Sequence, residues 1–268
     1  MEEQLFGPTG QHISVIGQGT WQVTAHSDVV RTLQRGMDLG MTHIDTAELY
    51  TGSELLVREA ISGRRDEVFL VSKVMPENAS RAGTVQACEA SLKRLGTDHL
   101  DCYLLHWDGG DHTIEDTMTG MRDLIDAGKI RYAGVSNFDV LQMEAAQAGL
   151  GDFPLACNQV IYHLGQREIE REVVPWCEAN NVAVVGYSPF ACGQFYEPGT
   201  PEWNVLSTIG DRHGKSVRQV TLRFLTRQPS LFAIPKASSI PHMQENCDGQ
   251  GFELTDEDLG DIEAAFPL

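Results

Sequence analysis

The strongest constraint on this chain is a rhythm: short, uniformly apolar runs alternate with amphipathic segments along its whole length. The runs are Ile13 to Ile16, Met41 to Ile44, Val68 to Val71, Leu100 to Leu105, Ile130 to Val135, Leu155 to Val160, Val182 to Val185 and Leu231 to Ile234. Between them apolar residues recur at helical spacing, as in Val29, Leu33 and Met37 or Ile169, Val173 and Cys177. Gly40, Gly96 and Gly128 follow as helix stops. A run that is apolar at every position, rather than at alternate ones, is buried on both faces, which is the situation of a parallel strand covered by helices. Run-to-run spacing of roughly 25 to 30 residues holds one strand, one crossover helix and two loops. Eight such units without a linker predict one closed (β/α)8 barrel, a TIM barrel, over residues 1–268. The gap before Leu231 is longer and carries two helical patterns, Asn204 to His213 and Val217 to Arg227, so an extra helix is expected there and another at the C-terminus. Phe6 to Gln11, with its turn at Pro8 to Gly10, predicts a small N-terminal β-hairpin.

A doubly wound open sheet is the competing architecture, and it calls for a Gly-x-Gly-x-x-Gly turn. The nearest match, Gly17-Gln18-Gly19-Thr20-Trp21-Gln22, lacks the third glycine and reads as a turn leaving the first strand. Charge narrows the partners. With 38 acidic against 20 basic residues the chain carries −18, and such a surface repels nucleic acid and anionic membranes alike. The acidic start, Met1-Glu2-Glu3-Gln4, does not look like a signal peptide, and no apolar run is of spanning length. The six cysteines form no Cys-x-x-Cys pair, and Cys102, Cys157 and Cys177 sit among apolar neighbours. Free buried thiols in a cytoplasmic protein are expected, and a monomer, since no long apolar stretch is left over. The histidines lack metal-ligand spacing, so no metal site is expected.

In a barrel of this kind, polar groups at the C-terminal ends of the strands face the active site. The second strand ends at Asp45, with Tyr50 five residues on; the third runs to Lys73; the fourth ends at His106. A tyrosine hydroxyl is a poor acid near neutrality unless a cation lowers its pKa, and Lys73 is such a cation, kept charged by Asp45. His106 would hold a carbonyl oxygen beside the tyrosine, a set suited to carbonyl reduction. Each residue alone has a structural reading, as a helix cap, an ion-pair partner or a core histidine. Their shared end of the barrel favours the chemical one.

Five stretches then make the chain identifiable: Asp45-Thr46-Ala47-Glu48-Leu49-Tyr50 with Gly52-Ser53-Glu54; Leu92 to Leu95 through Asp98 to Trp107; Gly128 to Arg131 leading to Gly134-Val135-Ser136-Asn137-Phe138; Asn158-Gln159 with Gly186-Tyr187-Ser188-Pro189; and Ile234-Pro235-Lys236. With these motifs in this order, the sequence resembles the aldo-keto reductase family along nearly its whole length. The resemblance implies a nicotinamide-dependent reductase with the tetrad Asp45, Tyr50, Lys73 and His106. It implies that Tyr187 stacks on the nicotinamide and that Ser136, Asn137 and Gln159 hydrogen-bond its carboxamide. Gly19, Thr20 and Trp21 would border both cofactor and substrate, and Ser188, Pro189, Phe190, Pro235, Lys236, Ala237 and Ser238 would follow the rest of the dinucleotide. His242 stands where better-known members carry an arginine for the 2′-phosphate, and Ala237 where they carry a serine; Glu245 and Asn246 match their adenine contacts. NADPH is expected as cofactor, with NADH tolerated more than usual, because an imidazole is a weaker phosphate partner than a guanidinium. The likeness is to short bacterial members that reduce methylglyoxal and other small dicarbonyls, of the methylglyoxal reductase and 2,5-diketo-gluconate reductase type. Trp21, Tyr50, Met75, His106, Trp107 and Phe190 are the expected substrate walls, suited to small aldehydes and ketones. A nucleotide-binding, redox-sensing barrel with little turnover is the alternative function.

Overall fold

The computed structural model describes residues 1–23 and 27–268. Two short strands, β1 (Glu3–Leu5) and β2 (His12–Ser14), pair antiparallel with Glu3 opposite Ser14. Eight parallel strands follow: β3 (Gln18–Gly19), β4 (His43–Asp45), β5 (Phe69–Val74), β6 (Leu100–Leu105), β7 (Ile130–Ser136), β8 (Leu155–Ile161), β9 (Ala183–Tyr187) and β10 (Leu231–Ala233). Sheet order is sequence order throughout. First and last strands are joined as well: Gly17 N donates to Ala233 O at 2.8 Å, Ala233 N to Val15 O at 3.0 Å and Gly19 N to Pro235 O at 3.2 Å. The expected barrel therefore closes, and every residue of β5 and β6 is buried, as a strand covered on both faces must be.

Among the described residues ten α-helices complete the fold: α1 (Ser27–Asp38), α2 (Ser53–Ala60), α3 (Arg81–Leu95), α4 (Ile114–Asp126), α5 (Val140–Leu150), α6 (Val173–Ala179), α7 (Pro201–His213), α8 (Val217–Leu225), α9 (Ile240–Cys247) and α10 (Asp256–Ala265). Among them are the expected extra helix before the last strand and the C-terminal helix. Capping boxes at Thr113, Asp139, Ser216 and Thr255 satisfy the first backbone donors of α4, α5, α8 and α10. No described helix is long and apolar enough to cross a membrane.

The predicted first strand needs correcting. Ile13 belongs to the hairpin, and the barrel strand is Gln18–Gly19, inside the stretch read above as a turn. Within the apolar run, Ile13 is buried with Phe6 in the cluster that fills the barrel, whereas Ile16 bridges Ala233 of the last strand and packs with Met41 and Leu222. A Cβ on Gly19 would stand 2.5 Å from Ile234 O, so close approach of β3 to the last strand demands glycine where an apolar signal would otherwise be sought. At the opposite end from the site, the Phe6 ring packs 5.0 Å from Phe69, 5.2 Å from Phe232 and 5.9 Å from His43. Truncating such a buried ring to alanine costs about 3–5 kcal/mol. Asp101, near the start of β6, accepts from Arg65 at 2.7 Å and from Leu70 N at 2.9 Å, and pairs with Arg131 at 3.0 Å. That buried carboxylate serves stability at the far end of the barrel.

Candidate active site

Asp45 ends β4, Lys73 lies one residue short of the end of β5, and His106 directly follows β6. Tyr50 stands on the connection from β4 to α2. Lys73 Nζ donates to Asp45 Oδ1 at 2.6 Å and to Thr46 O at 2.9 Å, with Lys73 fully buried and Asp45 2% exposed. The same ammonium lies 5.1 Å from the centre of the Tyr50 ring. Tyr50 and His106 meet edge to face, ring centres 5.7 Å apart at 77°.

The loop that carries Tyr50 is tied down by polar groups. Thr20 Oγ1 donates to Asp45 O at 2.8 Å, and Ser53 Oγ donates to Thr20 Oγ1 at 2.6 Å. Since that spends the serine proton, Thr46 Oγ1 is the donor in its 3.0 Å contact with Ser53. Glu54, 3% exposed, takes Ser72 Oγ at 2.8 Å on one oxygen and the Arg94 guanidinium on the other. The Gly52-Ser53-Glu54 triplet is thus an anchor that fixes where α2 begins and where Tyr50 stands.

Charge then decides what these groups can do. Burial alone would discharge Lys73, but Asp45 and then Tyr50 outweigh it and hold its pKa above the ordinary lysine value. For Tyr50 the sequence-based expectation of a lowered pKa is overturned. Burial raises it more than Lys73 lowers it, and Asp45 adds to the rise. The phenol keeps its proton through neutral pH, available to an oxygen that is gaining negative charge. His106 is pushed down to about 3, by burial first and by the Lys73 charge second, so its imidazole is neutral.

These groups border a cavity of about 490 Å³ at the barrel mouth. On its wall Tyr187 Oη donates to Asn137 Oδ1 at 2.9 Å, Asn137 Nδ2 donates to His106 O at 3.2 Å, and Ser136 Oγ donates to Gln159 O at 2.8 Å. The backbone is strained here. Gln22, Asn137, Ser188 and Cys192 all line the cavity, and all have positive φ, between 53° and 61°.

The family model described as the aldo/keto reductase family matches residues 15–266. The chain belongs to that family. Methylglyoxal reductase YeaE of Escherichia coli (strain K12) is 42% identical over 274 residues, covering 100% of this chain and 96% of its own. Glyoxal reductase of Bacillus subtilis (strain 168) is 33% identical over 258 residues, covering 95% and 90%. A Klebsiella pneumoniae aldo-keto reductase crystallised with NADPH is similar in structure, with a TM-score of 0.90 at 38% identity, and the match covers 100% of this chain and 96% of that one. The protein is accordingly an oxidoreductase acting on carbonyl groups.

Most residues anticipated for the site of this aldo/keto reductase converge. Gly19, Thr20, Trp21, Asp45, Tyr50, His106, Trp107, Ser136, Asn137, Gln159, Tyr187, Ser188, Pro189, Phe190 and Lys236 all line the cavity. Lys73 lies behind the wall on Asp45. Met75 is outside the lining, its backbone N held by Glu48 at 2.6 Å. Pro235 spends its carbonyl on Gly19, and Ser238 accepts from Lys236 Nζ at 2.8 Å. Ala237, His242, Glu245 and Asn246 also lie outside the lining; His242 is exposed on α9, while Glu245 accepts from Ser216 Oγ at 2.7 Å. Sequence reasoning missed Gln22, Leu49, Cys192, Gly193, Arg218 and Ile234, which the structure puts on the wall. Leu49 could have been found from its place beside Tyr50; Arg218, at the start of α8, carries no such signal.

Proposed function

We propose that this aldo/keto reductase uses NADPH, with NADH tolerated, to reduce small aldehydes and ketones, dicarbonyls such as methylglyoxal among them, and that Tyr50 is the general acid. The observation that carries this is the meeting of the Tyr50 and His106 rings at the cavity beside a buried Lys73–Asp45 pair. The names of the methylglyoxal and glyoxal reductases among its relatives, and the NADPH-bound relative, support the substrate class and the cofactor.

The residues present fit such a dinucleotide. Asn137, Gln159 and Ser136 gather amide and hydroxyl groups around the half-buried Tyr187 ring, a site for a flat carboxamide-bearing ring, and Lys236 with Ser238 offers phosphate donors. NADPH, when bound, supplies the hydride. The protein's part is the proton and the electrostatics. The Tyr50 hydroxyl and a neutral His106 nitrogen converge on a carbonyl oxygen, and Tyr50 passes its proton as that oxygen becomes an alkoxide. Lys73 stabilises the phenolate left behind, and Asp45 keeps Lys73 charged and in place. Trp21, Leu49, Trp107 and Phe190 give apolar walls that discriminate weakly between small apolar groups.

The test is NADPH oxidation with methylglyoxal, phenylglyoxal and nitrobenzaldehyde, by the wild type and by Tyr50→Phe. Turnover by the wild type and its loss in Tyr50→Phe, with NADPH binding intact, is expected. Unchanged activity in the variant would remove Tyr50 from its role, and NADPH binding without turnover on any carbonyl would favour a sensor.

A further inference from the structure

Arg218 is half-buried in the first turn of α8, and its side chain lines the cavity. The guanidinium carbon stands 4.8 Å from the centre of the Phe190 ring and 4.8 Å from that of Phe195. The two rings meet each other at 5.5 Å and 86°, so the guanidinium sits in an aromatic corner. Both phenylalanines belong to the connection between β9 and α7, which also supplies Ser188, Pro189, Cys192 and Gly193 to the cavity wall. Among the described residues Arg218 has no carboxylate within ion-pair distance and spends none of its N–H groups on another protein atom. A cation–π contact spends none of a guanidinium's N–H groups on a hydrogen-bond acceptor, so the Arg218 donors remain open. A fixed cation with open, fork-shaped donors, on the wall of a cavity in a chain of net charge −18, is built for a multiply charged oxyanion.

Resting on the proposed use of a nicotinamide dinucleotide, we propose that Arg218 binds its diphosphate, and that Phe190 and Phe195 are positioning residues that hold the guanidinium for this contact. The assignment to the diphosphate rather than to the 2′-phosphate follows from placement. Arg218 shares its stretch of wall with Tyr187, Ser188 and Phe190, whereas Ser238 and His242 lie outside the cavity, beyond Lys236. Phosphates common to NADPH and NADH are then Arg218's ligands, and its contribution does not discriminate between the two. Lys236 is the group whose loss separates them.

The experiment is calorimetric titration of NADPH and NADH into the wild type, Arg218→Ala, Arg218→Lys, Lys236→Ala, Phe195→Leu and the Arg218→Ala/Phe195→Leu double variant, with thermal melts as a folding control. Arg218→Ala is expected to weaken both dinucleotides by the same factor, roughly tenfold or more, as for a lost charged hydrogen bond. Arg218→Lys keeps the charge without the fork and falls between. Phe195→Leu weakens both by a smaller factor, and adds nothing once Arg218 is gone, the mark of a residue acting through another. Lys236→Ala weakens NADPH more than NADH. Equal affinities, within twofold, for wild type and Arg218→Ala would overturn the proposal, as would a loss confined to NADPH. Should Arg218→Ala not fold, Arg218→Lys carries the same comparison. A wild type that binds neither dinucleotide would sink the functional reading itself, and this proposal with it.

Discussion

Gln159 on β8 donates its side-chain amide to Asp45 Oδ2 on β4 at 2.7 Å, across the mouth of the barrel. A carboxylate only accepts, so the orientation of the Gln159 amide is settled by its partner. Asp45 thereby gives one oxygen to Lys73 and the other to Gln159. Gln159→Leu leaves that second oxygen unpaired and frees the carboxylate to turn, loosening the Lys73 ammonium beneath Tyr50. Turnover at saturating NADPH should fall by about tenfold to a hundredfold, the range for a hydrogen bond to a charged group, with NADPH affinity changed only a few-fold. The opposite split, weak binding with intact turnover, would make Gln159 a cofactor contact alone.

Asp45→Asn removes the only carboxylate paired with Lys73 among the described residues. An ammonium that is fully buried and loses its counter-charge costs about 3–5 kcal/mol. Urea midpoints should fall accordingly, and turnover with them. Asp45→Asn combined with Lys73→Met discards both charges and should recover much of the stability but none of the turnover. If the double variant were no more stable than Asp45→Asn, the cost would not lie in the stranded charge.

Asp45, Lys73 and His106 were legible because each lies at or just beyond an apolar run, and the end of a parallel strand is a fixed place on the barrel rim. β3 was not legible: Gln18 and Gly19 have no apolar signature, and their place is set by the approach of Gly19 to Ile234. The Tyr50 pKa could not be read either, since its direction is the balance of burial against two opposing charges. Arg218 became visible only when the connection after β9 folded back to bring Phe190 and Phe195 against α8.

His43 opens β4 from within the barrel, fully buried between Phe6 and Phe69, and neither ring nitrogen has a protein partner. Burial first, and the Lys73 charge second, push its pKa from 6.5 to about 3. A depressed folded-state value means that the unfolded chain takes up the proton first. Stability is therefore intact above about pH 6.5 and is lost as pH falls toward 3. At pH 5 the loss from His43 is on the order of 2 kcal/mol, and His106 acts in the same direction. His43→Leu should make the urea midpoint less sensitive to a change from pH 7 to pH 5. An unaltered pH dependence in that variant would mean that the ring is protonated in the folded protein.

The net charge of −18 sets a last expectation. A dinucleotide is itself polyanionic, so its approach is opposed by the protein as a whole and favoured only by local cations such as Lys236 and Arg218 at the cavity. The two effects differ in range. The Debye length falls from about 30 Å at 0.01 M salt to about 10 Å at 0.1 M. Over that interval distant acidic groups are screened, while contacts of hydrogen-bond length are hardly touched. NADPH affinity should rise between these concentrations and decline only at higher salt, when the local contacts are themselves weakened. Lys236→Ala, with less local attraction to lose, should show the rise with a shallower decline. Calorimetric titration from 10 mM to 500 mM salt is the check. A steady loss of affinity from the lowest salt upward would show that the local cations already dominate the field that the nucleotide meets.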